Sequence, residues 1–229
     1  MKTRLYTILL FAQLSFNAYS QLTETITVPA GSSFDELYSK IYNYPHFKEG
    51  VVLFKAGNTT KGRFNYNLYE GEVQFISGKG DTLNLAGKND IKNIIIGGDT
   101  FLFNNECLQI LTASPKAKLA VSKRIRFTNL QKIGAYGTAN TTGSITSFNS
   151  FVFNGRINNL TVQENMVFTK TSKFYVLDNA FNSLPANKKN VLKLFPQYKN
   201  EIENYLIKNN PDFNIQKDLV AFIDYLNTI

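Results

Sequence analysis

The stretch KGRFNYNLYEGEVQFI, residues 61–76, decides the fold class because its side chains alternate between apolar and polar. A period of two is typical of a β-strand with one buried face. Three apolar side chains are predicted to pack on one face: Phe64, Tyr66 and Leu68. The three polar side chains between them are predicted to face water: Arg63, Asn65 and Asn67. Glu70-Gly71 then predicts a tight turn into a second strand.

Short apolar runs of similar length continue along the chain, and turns rich in Gly, Asn and Asp separate them. They include residues 50–55, 91–96, 107–111, 119–127 and 173–177. Strands this close together favour antiparallel pairing, because parallel strands need a longer crossover. The sequence therefore predicts a mainly β fold of the α+β class. We expect an antiparallel meander, barrel- or sandwich-like, with a C-terminal α-helical cluster.

Two regions have the apolar period of helices instead. Residues 32–43 predict one helix inside a β-domain that spans 21–180, with Ser33 as its N-cap and Glu36 at the capping-box position. Residues 185–229 predict a cluster of three helices, separated by prolines and an Asn-Asn pair. Each of these helices is too short to be stable alone, so we expect them to pack on one another or on the sheet.

The first 20 residues predict a secretory signal peptide. Two basic residues precede an apolar run over 5–16, and the small residues Ala18 and Ser20 follow at the positions that a signal peptidase reads. A helix over this run rises only about 18 Å, which is too short to cross an apolar membrane core of ~30 Å. We therefore expect an exported protein, located in the periplasm, on the outer-membrane surface or outside the cell.

The sequence offers little catalytic or metal-binding chemistry. His46 is its single histidine and Cys107 its single cysteine, too few for a typical zinc site. The apolar surroundings of Cys107 predict a buried thiol. Glu70 and Glu72 could form a carboxylate pair, although they flank the predicted turn. We expect no metal and no cofactor, and whether the chain is an enzyme stays open, with a non-enzymatic role favoured.

Positive charge is concentrated in one region of a chain whose formal net charge is +8. No acidic residue occurs between Glu106 and Glu164, and five basic residues there form a candidate binding site: Lys116, Lys118, Lys123, Arg124 and Arg126. Such a patch attracts anions. The predicted partners are an acidic glycan, lipopolysaccharide or an acidic envelope protein, and not nucleic acid. The polar segment 134–150 is a second candidate, and an ordinary basic surface is the alternative.

Two regions of the chain resemble a known group of proteins. The opening VLFKAGNTTKGRFNYN and the turn GDTL, within residues 50–103, resemble small uncharacterised secreted β-rich proteins of Bacteroidota-type bacteria, as does the helical tail from residue 189. That family has no assigned activity, so the resemblance implies no catalytic residues. Asp81-Thr82-Leu83 resembles the O-glycosylation sequence of exported proteins in these bacteria, which implies a glycan on Thr82. An ordinary turn explains the same residues.

These observations favour a non-enzymatic, exported cell-envelope protein with a binding or scaffolding role. Two alternatives remain at this point. One is a hydrolase that acts on envelope glycan or lipid through carboxylates whose pairing the sequence does not reveal. The other is a purely structural envelope protein.

Overall fold

The computed structural model describes residues 22–104, 106–133, 139–141 and 164–229. In these ranges the chain forms twelve β-strands and four α-helices. The strands are β1 (Leu22–Val28), β2 (Lys48–Phe54), β3 (Thr59–Asn67), β4 (Glu72–Ile76), β5 (Thr82–Asn84), β6 (Ile91–Ile96), β7 (Asp99–Asn104), β8 (Glu106–Ala113), β9 (Lys118–Ile133), β10 (Ala139–Thr141), β11 (Asn165–Leu177) and β12 (Ser183–Pro185). The helices are α1 (Phe34–Ile41), α2 (Lys188–Leu194), α3 (Lys199–Asn209) and α4 (Gln216–Thr228).

All the strands belong to one antiparallel sheet in the order β1-β11-β9-β8-β7-β6-β2-β3-β4-β5, with β10 added to β9 and β12 to β11. The predicted fold class is therefore confirmed: the protein is mainly antiparallel β with a C-terminal group of helices. The sheet does not close into a barrel, and β1 and β5 are its two ends within the described residues.

The sheet curls, so that the segment at the end of β3 lies beside the middle of β9. Strand β8 runs beside β9 only as far as the pair Gln109–Val121. Further along β9, the backbone N–H of Ile125 donates to the carbonyl oxygen of Leu68 at 3.0 Å. The hydroxyl of Tyr66 donates to the carbonyl oxygen of Lys123, also at 3.0 Å. The residues that follow β3 thus take the place of β8 beside β9.

The larger of the apolar cores is built mainly from strands of the sheet. Its buried members come from most of the strands, and they include Phe64, Phe101, Ile125 and Phe168. Helix α1 packs against this core through Leu37 and Ile41. Its N-terminus is capped as predicted, because the backbone N–H of Glu36 donates to the Ser33 hydroxyl at 3.2 Å.

The C-terminal helices pack against the other end of β9 and β11, so the sheet and the helices share a second core. The strands contribute four buried side chains: Leu119, Val121, Phe174 and Val176. Buried side chains of α3 and α4 meet them, including Ile202, Leu219, Phe222 and Ile223. This packing supplies the stability that helices of these lengths lack in isolation.

One prediction for strand β3 is wrong. Phe64, Tyr66 and Leu68 are buried and Arg63 is exposed, as expected. However, Asn65 and Asn67 are also buried, with only 1% and 3% of their surfaces exposed. The segment that follows α1 supplies hydrogen-bond partners to Asn65, whereas Gln74 and the backbone N–H groups of Tyr69 and Glu70 supply those of Asn67. The Asn65 side chain donates to the Tyr44 carbonyl at 2.8 Å and accepts from the Tyr44 N–H at 3.2 Å.

Several sequence predictions concern residues outside the described ranges. The signal peptide over residues 1–20 lies there, and so does most of the segment 134–150, of which residues 139–141 form β10. None of the helices in the described ranges combines the length and the apolar character that crossing a membrane requires.

Candidate functional site

A polar cleft of about 580 Å³ runs along β9 and β11. We call it the basic cleft, and its lining includes Thr23, Glu106, Ser122, Arg124, Arg126, Thr128, Thr169, Thr171 and Lys173. The residues from β9 alternate along the strand, so they share one face. The strand register places Arg124 opposite Thr171, and Arg126 opposite Thr169. Guanidinium groups and hydroxyls are thereby interleaved across two adjacent strands.

Two buried polar atoms of the cleft residues lack a protein partner. The Nη1 atom of Arg124 and the hydroxyl oxygen of Ser122 are buried and form no hydrogen bond within the described part of the chain. A buried polar group without a partner costs roughly 1–3 kcal/mol, and more when it is charged. Native proteins therefore satisfy nearly all such groups with protein, water or a ligand. Both atoms are closed off from solvent, so the indication of a binding site is the accessible charge of the cleft lining and not these atoms.

The β3–β4 turn fixes where the Arg124 side chain lies. Gly71 in this turn has a φ of +73°, which is the left-handed region that glycine adopts readily. A Cβ atom at position 71 would stand 0.9 Å from Nη1 of Arg124. Position 71 therefore requires glycine for two reasons. The turn needs its left-handed backbone, and a side chain there would occupy the space of the Arg124 guanidinium. The sequence predicted the turn but not this second role.

The basic cleft carries an excess of positive charge. Arg124, Arg126 and Lys173 contribute cations, and Glu106 contributes one carboxylate. The Lys173 amine is 4.0 Å from the Glu106 carboxylate, a distance at which the attraction is weak. Lys173 was not among the predicted site residues, because it joins Ser122 only through the pairing of β9 with β11. The strand period alone could not give that register.

Lys123 lies apart from the two arginines of the basic cleft. It lines a different cavity of about 480 Å³, together with Glu24 and Lys170. Its amine donates to the side-chain oxygen of Gln109 at 2.8 Å and to that of Asn43 at 3.4 Å. Burial lowers the pKa of the Lys123 amine, and the positive charge of Lys170 lowers it further.

The other two lysines of the predicted patch contact aromatic rings elsewhere. The amine of Lys118 is 4.9 Å from the ring centre of Phe181, and that of Lys116 is 5.3 Å from the ring centre of Tyr198. Of the five basic residues, the structure brings Arg124 and Arg126 into one cleft and leaves the three lysines outside its lining.

Thr82 lies on β5, the strand at one end of the sheet, and its side chain is exposed. It pairs with Ile76 of β4. Glycosylation of Thr82 stays a prediction.

The candidate carboxylates of the β3–β4 turn are engaged with other side chains. Glu70 accepts hydrogen bonds from Gln74 at 3.2 Å and from Asn84 at 3.1 Å. Glu72 forms an ion pair with Lys88.

His46 is exposed. Within the described ranges, no group of three or more His, Cys, Asp or Glu side chains could hold a metal ion.

Cys107 is buried, as its apolar neighbours predicted, with 4% of its surface exposed. Burial raises the pKa of its thiol far above the ordinary value, and the nearby carboxylate of Glu72 raises it further. A thiol held in its neutral form is a poor nucleophile. Cys107 therefore acts as a small apolar residue of the larger core.

No protein-family model, curated protein or solved structure matches the chain.

Proposed function

We propose that this protein is an exported, non-enzymatic binding protein whose basic cleft holds an acidic sugar unit of a cell-envelope glycan. The observation that carries this proposal is the excess of positive charge in a polar cleft, to which Arg124, Arg126 and Lys173 contribute cations and Glu106 one carboxylate. An anionic ligand would supply the counter-charge that the described lining provides only through Glu106. Export itself is proposed from the pattern of the first 20 residues.

The residue types in the basic cleft suit a sugar that carries a carboxylate or a phosphate. A guanidinium group binds either anion through two parallel hydrogen bonds, and Arg124 and Arg126 stand two residues apart on the same face of β9. Lys173 adds a third cation. The threonine hydroxyls can both donate to and accept from the hydroxyls of a sugar ring. A cavity of about 580 Å³ falls within the usual size range of small-ligand sites.

A binding role is better supported than hydrolysis. Glycoside hydrolysis ordinarily needs two carboxyl groups on opposite sides of the bond that breaks. The described lining of the basic cleft supplies the carboxylate of Glu106, which lies 4.0 Å from the Lys173 amine. Glu70 and Glu72 are held by other side chains. The cavity also favours a sugar over an acidic protein, because a protein surface does not enter a space of this size.

Isothermal titration calorimetry tests the proposal with glucuronate, glucose 6-phosphate and neutral glucose. Loss of a hydrogen bond to a charged group costs about 1.5–3 kcal/mol, so Arg126→Gln is expected to weaken binding of both anions by roughly tenfold or more. Arg63→Gln is the matched control, because Arg63 is an exposed arginine on β3. High salt should weaken binding of the anions to the wild type.

Three results would contradict the proposal. The first is binding of glucose as tight as that of its anionic counterparts. The second is an equal loss of affinity in Arg126→Gln and Arg63→Gln, since that would reduce the effect to net charge. The third is failure of both acidic sugars to bind.

A further inference from the structure

We propose that a second, separate groove binds a single-chain anionic amphiphile of the fatty-acid class. This groove, the apolar groove, has a volume of about 450 Å³ and lies where β6, β7 and β8 meet the turn after β11. Its apolar lining includes Leu102, Leu108, Ile110, Leu177 and Phe181. It shares no described lining residue with the basic cleft, so this inference does not depend on the function proposed above.

The floor of the apolar groove suits an acyl chain. Leu108 and Leu177 are almost completely buried, and they form a small core cluster with the half-buried Leu102 and Ile110. This cluster is distinct from the two larger cores. Ligand pockets of this volume are typically lined by aliphatic and aromatic side chains with a few polar groups that orient the ligand.

Positive charge surrounds this apolar floor. Lys55, Lys92 and Lys118 line the groove, and no Asp or Glu occurs among its described lining residues. None of the three lysines forms an ion pair with another described residue. An anionic head group would give these amines the counter-charge that the described part of the protein does not provide. Charge complementarity therefore favours a carboxylate or phosphate head over a neutral one.

The turn that carries Phe181 is built in a strained form. Phe181 has a φ of +64°, a conformation that a bulky side chain rarely adopts. Hydrogen bonds within the turn hold it there, because the Phe181 N–H donates to the Asp178 carbonyl and the Asn182 side chain donates to the Asp178 carboxylate. Phe181 remains 46% exposed, and its ring lies beside the Lys118 amine. Local strain of this kind often accompanies ligand sites.

The ring and the amine of this turn are suited to the two parts of an amphiphile. The Phe181 ring can contact the first methylenes of the chain, and Lys118 can meet the head group. A small anion would make no use of the leucine floor, and a neutral lipid would make no use of the lysines.

Chain length provides the sharpest test, because each buried methylene contributes about 0.8 kcal/mol, which is a factor of roughly four in affinity. Titrations with decanoate, dodecanoate and tetradecanoate should therefore show affinity rising about fifteenfold for each two-carbon step until the groove is filled. Dodecyltrimethylammonium, with the same chain and a cationic head, should bind at least tenfold more weakly than dodecanoate. Affinity that is independent of chain length, or equal for the two head groups, would overturn the proposal.

Single substitutions locate the site. Lys118→Gln and Phe181→Ala should each weaken dodecanoate binding several-fold. Lys79→Gln, an exposed lysine in the β4–β5 turn, should leave it unchanged. The circular dichroism spectrum and the urea midpoint of each variant establish that the fold is kept. Wild-type affinity for dodecanoate in both Lys118→Gln and Phe181→Ala would refute the assignment, as would an equal loss in Lys79→Gln.

Discussion

The guanidinium group of Arg124 lies where a side chain at position 71 would stand. An added Cβ would be 0.9 Å from its Nη1 atom, and Gly71 also has a φ of +73°. The β3–β4 turn therefore packs closely on the Arg124 side chain of β9, next to the hydrogen bond between Ile125 and Leu68. This contact positions the arginine that we place at the centre of the basic cleft.

Gly71→Ala should therefore separate binding from stability. The left-handed backbone costs an alanine about 1–2 kcal/mol, and the flexible Arg124 side chain can move aside at little further cost. The lower freedom of alanine in the unfolded chain offsets about 0.5–1 kcal/mol of this cost, so we expect the free energy of unfolding to fall by up to about 1 kcal/mol and glucuronate affinity to fall at least tenfold. Gly80→Ala is the matched control, because Gly80 has a φ of +89° and nothing within 4 Å of its added Cβ.

Urea unfolding and calorimetry on both variants give the comparison. Gly80→Ala should show a similar loss of stability with wild-type affinity. Wild-type affinity in Gly71→Ala would show that the position of Arg124 does not govern binding.

The burial of Asn65 makes a second prediction, on stability. Its amide satisfies both the N–H and the carbonyl of Tyr44, and each buried group left unpaired costs about 1–3 kcal/mol. We expect Asn65→Ala to lower the free energy of unfolding by about 3 kcal/mol. Arg63→Ala, two positions away where the same face of β3 is exposed, should change it by less than about 0.5 kcal/mol. Equal effects in urea titrations would mean that Asn65 faces water, as its alternation in the sequence suggested.

Strand β3 shows which structural features a local sequence pattern can predict and which it cannot. Backbone alternation is a local property, so residues 61–76 correctly predicted a strand, a turn and a buried apolar face. Whether the polar face meets water depends on a tertiary contact. Here the segment around Tyr44 covers Asn65, and no periodicity in β3 could reveal that cover.

The same limit applies to the two sites. Arg124 and Arg126 could be placed on one face because they are two residues apart on a strand. Lys173 joins their cleft only through the register of β9 with β11. The apolar groove gathers β6, β7, β8 and the turn at Phe181, which are far apart in the chain. In the sequence, the strained turn at Phe181 has the composition of an ordinary loop rich in Asp and Asn.

The buried thiol of Cys107 predicts a loss of stability at alkaline pH. Its pKa is raised in the folded protein, so the folded state keeps a proton that the unfolded state releases above its own pKa of ~8.5. The stability that the protonated Cys107 thiol gives the folded state is fully present below pH ~8.5 and is lost as the pH rises further. Between pH ~7.5 and ~9.5 the wild type should lose about 1.4 kcal/mol more than Cys107→Ala.

Urea unfolding at the two pH values measures this difference. Equal losses in the wild type and the variant would show that Cys107 ionises in the folded state. Iodoacetamide offers an independent check, because the native thiol should resist alkylation under conditions where the unfolded chain reacts.

The backbone at Phe181 predicts an unusual order of stabilities. Phe181→Ala and Phe181→Gly both remove the ring, so they differ only in the backbone. Relief of the left-handed conformation favours glycine by about 1–2 kcal/mol, and its greater freedom in the unfolded chain offsets about 0.5–1 kcal/mol of that. The glycine variant should therefore be more stable than the alanine variant by up to about 1 kcal/mol in thermal unfolding. An alanine variant that is the more stable would exclude strain at position 181.

The most direct test of the basic cleft follows each guanidinium group during ligand binding. The sequence has five arginines, at positions 4, 63, 124, 126 and 156, so ¹⁵N-arginine labelling gives few Nε–H signals, which single Arg→Gln variants can assign. On titration with glucose 6-phosphate, we expect the signals of Arg124 and Arg126 to shift together while that of Arg63 stays unchanged. Unmoved Arg124 and Arg126 signals at saturating ligand would contradict the assignment of this cleft as the binding site.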